Sequence, residues 1–195
     1  MKKIVGVLLL LVVSTMKMML FSQSDEPLKF KGIPIKGNVY EFCRALEKKG
    51  FEKYEFSVEN TFDGYVGIFL EREAIVSLAA DEENNIHSLV VLFKPYTDWK
   101  YLYEQYTGCV ELYTAKYGEP VNSVAEKPEY ATTETSMMLA LEEGLVKYMT
   151  EYETKTGYIE IYIQKLDALY NGTIAIVYRD RETLEKVYEK CLEDI

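Results

Sequence analysis

The sequence predicts an α+β domain, an antiparallel sheet with helices packed on one face. Three observations lead there. Short runs alternating apolar and polar residues recur in two groups, around 54–93 and 146–178. Stripes at helical spacing stand before, between and after those groups. The turns joining neighbouring runs are too short to hold a crossover, so successive strands pair antiparallel.

The elements follow in order. An extended entry segment, Phe30-Lys-Gly-Ile-Pro-Ile-Lys-Gly37, precedes the first helix. Asn38 is placed to cap that helix, with Glu41 three residues on. Val39, Phe42, Cys43 and Leu46 form one face, and Gly50 ends it with Phe51 folding back on Leu46. Four strands follow: Tyr54 to Val58, then Tyr65 to Leu70 after an Asp63-Gly64 turn, Ala74 to Ala80, and Ile86 to Phe93. The last is apolar on both faces, which places it inside the sheet with cover on both sides. Thr97 or Asp98 opens a long helix, and Gly118 and Pro120 stop it. Its stripe is Trp99, Leu102, Tyr103, Tyr106, Val110, Tyr113 and Tyr117, and Gly108 inside it marks a bend or a close contact. Val121 to Thr132 reads as a loop, and Met137, Met138 and Leu141 as a short helix ended by Gly144. In the second strand group, Val146, Tyr148, Thr150 and Tyr152 share one face, and Ile159, Ile161 and Ile163 another. Asn171-Gly172 reads as a hairpin turn into Thr173 to Tyr178. Asp180 caps a final helix with the stripe Leu184, Val187, Tyr188, Cys191 and Leu192. Residues 25–195 thus form one domain of two echoing halves, about 28–95 and 96–195. The first is helix and four strands; the second is helix, short helix and three strands, with the final helix after it.

The start of the chain carries an address. Lys2 and Lys3 precede the uncharged apolar run Ile4 to Val13, and Ser22-Gln23-Ser24 precedes the first acids, Asp25 and Glu26. A basic start, a short apolar centre and a small-residue exit read as a secretory signal peptide over 1–24. Cleavage falls after Ser24, with Ser22 and Gln23 as alternatives; the competing reading is an uncleaved anchor over Ile4 to Phe21, interrupted by Lys17. Export to the periplasm or the extracellular space is the expectation, with no transmembrane span once the signal is removed.

Charge narrows the partners. Lys2, Lys3 and Lys17 are the only charges before Asp25, so removing 1–24 takes the net charge from -10 to -13. Nucleic acid and anionic lipid demand a basic face and are excluded as expected partners. Cys43, Cys109 and Cys191 are an odd set, so at least one thiol has no partner within the chain. They read as buried free thiols or as one disulfide and one thiol, and their spacing matches no metal site.

Catalytic patterns are thin. His87 is the single histidine, on the face of Leu89, Val91 and Phe93, and reads as structural. No GxSxG elbow accompanies it. Glu71 with Glu73, Glu151 with Glu153, and Glu160 are the carboxylates that acid–base chemistry could use; the same spacing suits outward charges on strands. Asp81 to Asn85 lacks the ligand pattern of a calcium loop. No catalytic residue, metal or cofactor is therefore assigned. Seventeen tyrosines are the compositional excess. Most fall in core stripes, but Tyr158 and Tyr162 flank Glu160 opposite Ile159, Ile161 and Ile163, on the outer sheet face. Tyrosine there is either a contact residue, because it brings large area at small entropic cost, or is covered by a helix or the other half of the sheet.

The segment from Phe30 to Gly37, with Phe42, Leu46 and Lys49-Gly50-Phe51, resembles the start of small exported proteins common in Bacteroidetes. Tyr117-Gly118-Glu119-Pro120, Gly157-Tyr-Ile-Glu-Ile161 and Val177-Tyr178-Arg179-Asp180 extend the resemblance over most of the chain. These motifs punctuate structure and imply no reaction. The element order is also similar to the tandem helix-plus-sheet plan of β-lactamase-inhibitor-like proteins, which implies a binding surface on the sheet; no inhibitory residue carries over. The expected function is a non-enzymatic, exported binding or interaction protein. Its contacts are Tyr158, Glu160 and Tyr162, and its partner is a protein or glycan outside the cytoplasm. The alternatives are an inhibitor of a secreted enzyme and a carboxylate-based hydrolase.

Overall fold

A computed structural model describes residues 26–54, 64–166 and 170–193. The leader over 1–24, the strand reading at Phe56 and Val58, and Asp63 of the expected turn lie outside the described residues. A short hairpin, β1 (Lys29–Phe30) and β2 (Ile33–Pro34), leads to helix α1 (Val39–Glu47). Then come β3 (Glu52–Tyr54), β4 (Gly64–Phe69), β5 (Arg72–Ala80) and β6 (Ile86–Phe93). Helix α2 (Trp99–Tyr117), strand β7 (Asn122–Glu126) and helix α3 (Glu134–Glu142) follow. The chain closes with β8 (Lys147–Thr154), β9 (Gly157–Lys165), β10 (Gly172–Asp180) and α4 (Arg181–Glu193).

Eight strands form one sheet in the order β3-β4-β5-β6-β10-β9-β8-β7. Every pairing is antiparallel. The fold is α+β, as the alternating strand runs require. Each half contributes four neighbouring strands, and their last strands, β6 and β10, meet at the centre. The loop expected over Val121 to Thr132 holds β7, the edge strand that completes the second half. Its residues are polar and mostly exposed, so no alternation betrays it.

The inner face carries the core. Val76, Leu89, Ile176 and Ile161 lie on neighbouring strands and are fully buried. Helix α1 adds Val39, Phe42 and Leu46; α2 adds Leu102, Tyr106, Cys109 and Tyr113; α3 adds Met138 and Leu141. The Asn38 side chain accepts the Tyr40 N–H, and Asp98 accepts the Tyr101 N–H, so α1 and α2 start where their caps stand. Thr133 and Ser136 close a reciprocal capping box on α3. The β1–β2 hairpin joins the same layer through Phe30, whose ring meets Phe51, Phe69 and Tyr178.

Glycines resolve two readings. Gly172 belongs to β10, not to a tight turn: it pairs with Lys165, and Leu166 N–H donates to Asn171 O to close the longer connection. A Cβ there would sit 2.5 Å from Leu102 and 2.7 Å from Leu141, so the residue is small to let α2 and α3 approach the sheet. Gly108, by contrast, lies in open space within α2 and marks no close contact.

Candidate functional site

The face away from α1, α2 and α3 is reached, among the described helices, by α4 alone. Its composition follows from register. Val66 pairs with Ile75, Ile75 with Leu92, Leu92 with Ala175, Ala175 with Tyr162, and Tyr162 with Met149. Val124 on β7 extends the line. One apolar row therefore crosses seven strands. Strand spacing of about 4.8 Å makes it about 29 Å long. Ala175 and Val177 are buried at its centre, while Ile75, Val90, Leu92, Met149 and Tyr162 are half-buried. The short side chains of β10 form the floor of a shallow trough. Val90 and Leu92 stand on one side of it, Glu160 and Tyr162 on the other.

The three expected contact residues lie together on β9 in this face. Tyr162 is half-buried between Met149 and Ala175, and burial raises its hydroxyl pKa, with the Glu160 charge adding to the effect. Glu160 is ion-paired with Arg179 and stands directly across from Glu151. Tyr158 is engaged from above. The Arg181 guanidinium lies 4.3 Å from its ring centroid and donates to its hydroxyl, and the same guanidinium reaches Glu153 Oε1 at 2.7 Å and Thr154 O at 3.0 Å. Tyr158 is thus half-buried under the start of α4, and Tyr162 is the tyrosine that the trough presents.

Helix α4 begins at a buried cap: Asp180 Oδ1 accepts both the N–H and the hydroxyl of Thr183. It runs along one end of the sheet, from the Arg181–Glu153 pair to the Lys190–Glu82 pair at the β5–β6 turn. Its apolar stripe does not enter the inner core. Leu184 and Val187 are half-buried, and Tyr188 and Leu192 are 65% and 51% exposed. Leu184, Val187 and Tyr188 of this stripe line, with Tyr158 of β9, a groove of about 500 Å³.

Elsewhere the reactive groups are spread apart or engaged. His87 occupies a bulge: Ala79 pairs with Ser88 but Ala80 with Ile86, so His87 is an extra residue and Ile86 takes the buried place. That corrects its expected alignment with Leu89, Val91 and Phe93. Burial lowers its pKa, the nearby Asp81 charge opposing, and its Nδ1 is buried without a partner. Cys109 is buried in α2, where Arg72 Nη2 donates to Sγ at 3.1 Å. Burial raises its pKa against the pull of Arg72. Arg72 and Ala80 stand at opposite ends of β5, eight residues apart, so the Cys109 and His87 regions are about 26 Å apart. Cys43 is half-buried and Cys191 exposed, and none of the three cysteines is in a disulfide. Glu73 and Glu160 are separated by two intervening strands and four residues of register, about 19 Å, beyond the reach of a glycosidase pair. Asp81 Oδ1 accepts the N–H groups of Glu83 and Asn85, closing that turn on itself. Among the described residues, no acid, histidine and cysteine group is arranged to hold a metal, and no helix is long and apolar enough to cross a membrane.

Sequence reasoning placed β9 on this face but missed the row through Leu92, Ala175 and Met149. The signal lay in the two-sided apolar runs Leu89 to Phe93 and Ile174 to Tyr178. Compared with protein-family models, curated proteins and solved structures, the chain matches none of them.

Proposed function

We propose that this chain is an exported, non-enzymatic binding protein that engages a protein or glycan outside the cytoplasm through the outer sheet face. The supporting observation is the apolar row from Val66 to Met149, half-buried on a face that α1, α2 and α3 leave open. Contiguous apolar surface bounded by polar residues marks interaction sites. Tyr162 is its aromatic anchor, Leu92 and Met149 its aliphatic neighbours, and Glu160 with Arg179 its polar margin. Tyr158 contributes by holding Arg181 and so fixing the start of α4 beside the face. Export rests on the leader pattern of residues 1–24.

The test pairs Tyr162→Ala with Leu92→Ala in the mature chain. Capture of envelope proteins, and binding to an array of glycans, is compared with wild type and with Tyr101→Ala, an exposed residue of α2 on the opposite layer. The double variant is expected to keep its circular dichroism spectrum and lose capture, while Tyr101→Ala keeps both. Capture unchanged in the folded double variant sinks the reading.

A further inference from the structure

Charge on the outer face says what kind of partner fits it. Resting on the binding role proposed above, we infer that the partner is a basic protein surface, an apolar ridge flanked by lysine or arginine. The register puts Glu52, Glu73 and Glu151 on the same face as the apolar row. Glu52 lies across from Val66, Glu73 two residues before Ile75, and Glu151 two residues after Met149. None of the three has an ion-pair partner among the described residues. Of the cations on this face, Arg179 pairs with Glu160 and Arg181 with Glu153, while Lys147 lies across from Glu126 at the β7 edge.

Two features then act together. The row supplies apolar area that gains from burial, and the rim supplies uncompensated negative charge at its borders. A second copy of this chain would bring the same acids to the same borders, on a molecule already at net -10. Like-charge juxtaposition of that kind suppresses self-association. Glu151 stands directly opposite Glu160, and Arg179 compensates the Glu160 charge while leaving that of Glu151, so a partner cation gains most beside Glu151.

The experiment uses the mature chain and two helical peptides, one with a leucine face and a lysine face, and a twin with every lysine replaced by glutamate. Affinity is measured by calorimetry at low and physiological salt. The lysine peptide is expected to bind at least about tenfold more tightly than its twin, with a preference that shrinks as salt rises. Glu52→Gln, Glu73→Gln and Glu151→Gln combined are expected to weaken lysine-peptide binding about tenfold, three rim pairs each contributing modestly. Leu92→Ala with Tyr162→Ala is expected to abolish it. Equal binding of both peptides, or no effect of the glutamine substitutions, overturns the charge inference while leaving the face as a binding surface. Binding indifferent to Leu92 and Tyr162 overturns the binding role too. A dimer in sedimentation equilibrium that dissolves in Leu92→Ala identifies a second copy as the occupant and overturns the inference.

Discussion

Buried hydroxyls set the finest level of specification in this molecule. Tyr113 in α2 and Tyr178 on β10 hydrogen-bond to each other, and both are nearly inaccessible. Burial raises the hydroxyl pKa of both, so each serves as a neutral donor and acceptor. Tyr106 makes the same kind of bond to Thr150 at 2.7 Å. Tyr113→Phe leaves the Tyr178 hydroxyl without a partner and is expected to cost about 1–3 kcal/mol. Adding Tyr178→Phe removes the orphan, so the double variant should recover part of that loss in urea denaturation. His87 makes a pH-dependent contribution of definite sign. Burial holds its folded pKa below the ordinary 6.5, so the unfolded chain takes up the proton first as pH falls. Stability is therefore full above about pH 6.5 and declines through and below that value toward the folded pKa. In His87→Gln that decline should disappear from stability curves measured between pH 7.5 and about 5. The bulge behind this behaviour was invisible in the sequence, because alternation reports which residues are apolar and not where a strand carries one residue too many.

At the level of elements, most of the fold was legible, and the exceptions share a cause. The stripe of α1 and the alternation of β8 and β9 marked their own buried faces because one side of each meets the core, and the α2 stripe did so apart from exposed Tyr103 and the buried Cys109 it left out. Strand β7 carries only Val124 as a large apolar residue and sits at an edge, where period-two patterning is not enforced by burial. Helix α4 erred in the other direction: its stripe from Leu184 to Leu192 is well formed in sequence, yet the structure leaves most of it outside the core. A stripe says that a helix can be buried, not what it is buried against. The outer row was hidden for a related reason, since its members come from strands distant in sequence and only register aligns them. Helix α4 is anchored at its start by Asp180 and Arg181, and toward its end by the exposed Lys190–Glu82 pair, which adds little. Its amides should therefore exchange with deuterium sooner than those of α2, with protection concentrated near Thr183. Equal protection of the two helices would mean that α4 is covered in solution.

The molecule as a whole is two helix-plus-four-strand halves sharing one sheet. Their union is more than the β6–β10 seam. Arg72 of the first half donates to Gln105 and Cys109 of α2, Thr173 donates to Phe93 O at 2.6 Å, and Phe30 packs on Tyr178. Neither half keeps an intact core without the other, so unfolding should be one cooperative step. Trp99 is buried in the second half, and its fluorescence should change together with the far-ultraviolet circular dichroism of the whole chain. Separate midpoints would show that the halves fold independently. The ends of the shared sheet carry a different consequence. Strand β7 is five residues long and ends in Glu126, and the described part of β3 bears Glu52 and Lys53. A short edge such as β7, and charges on both edges, make poor templates for another chain's backbone. At high concentration the protein is expected to resist growth into ribbons and fibrils, and thioflavin fluorescence that stays flat on prolonged incubation would bear this out.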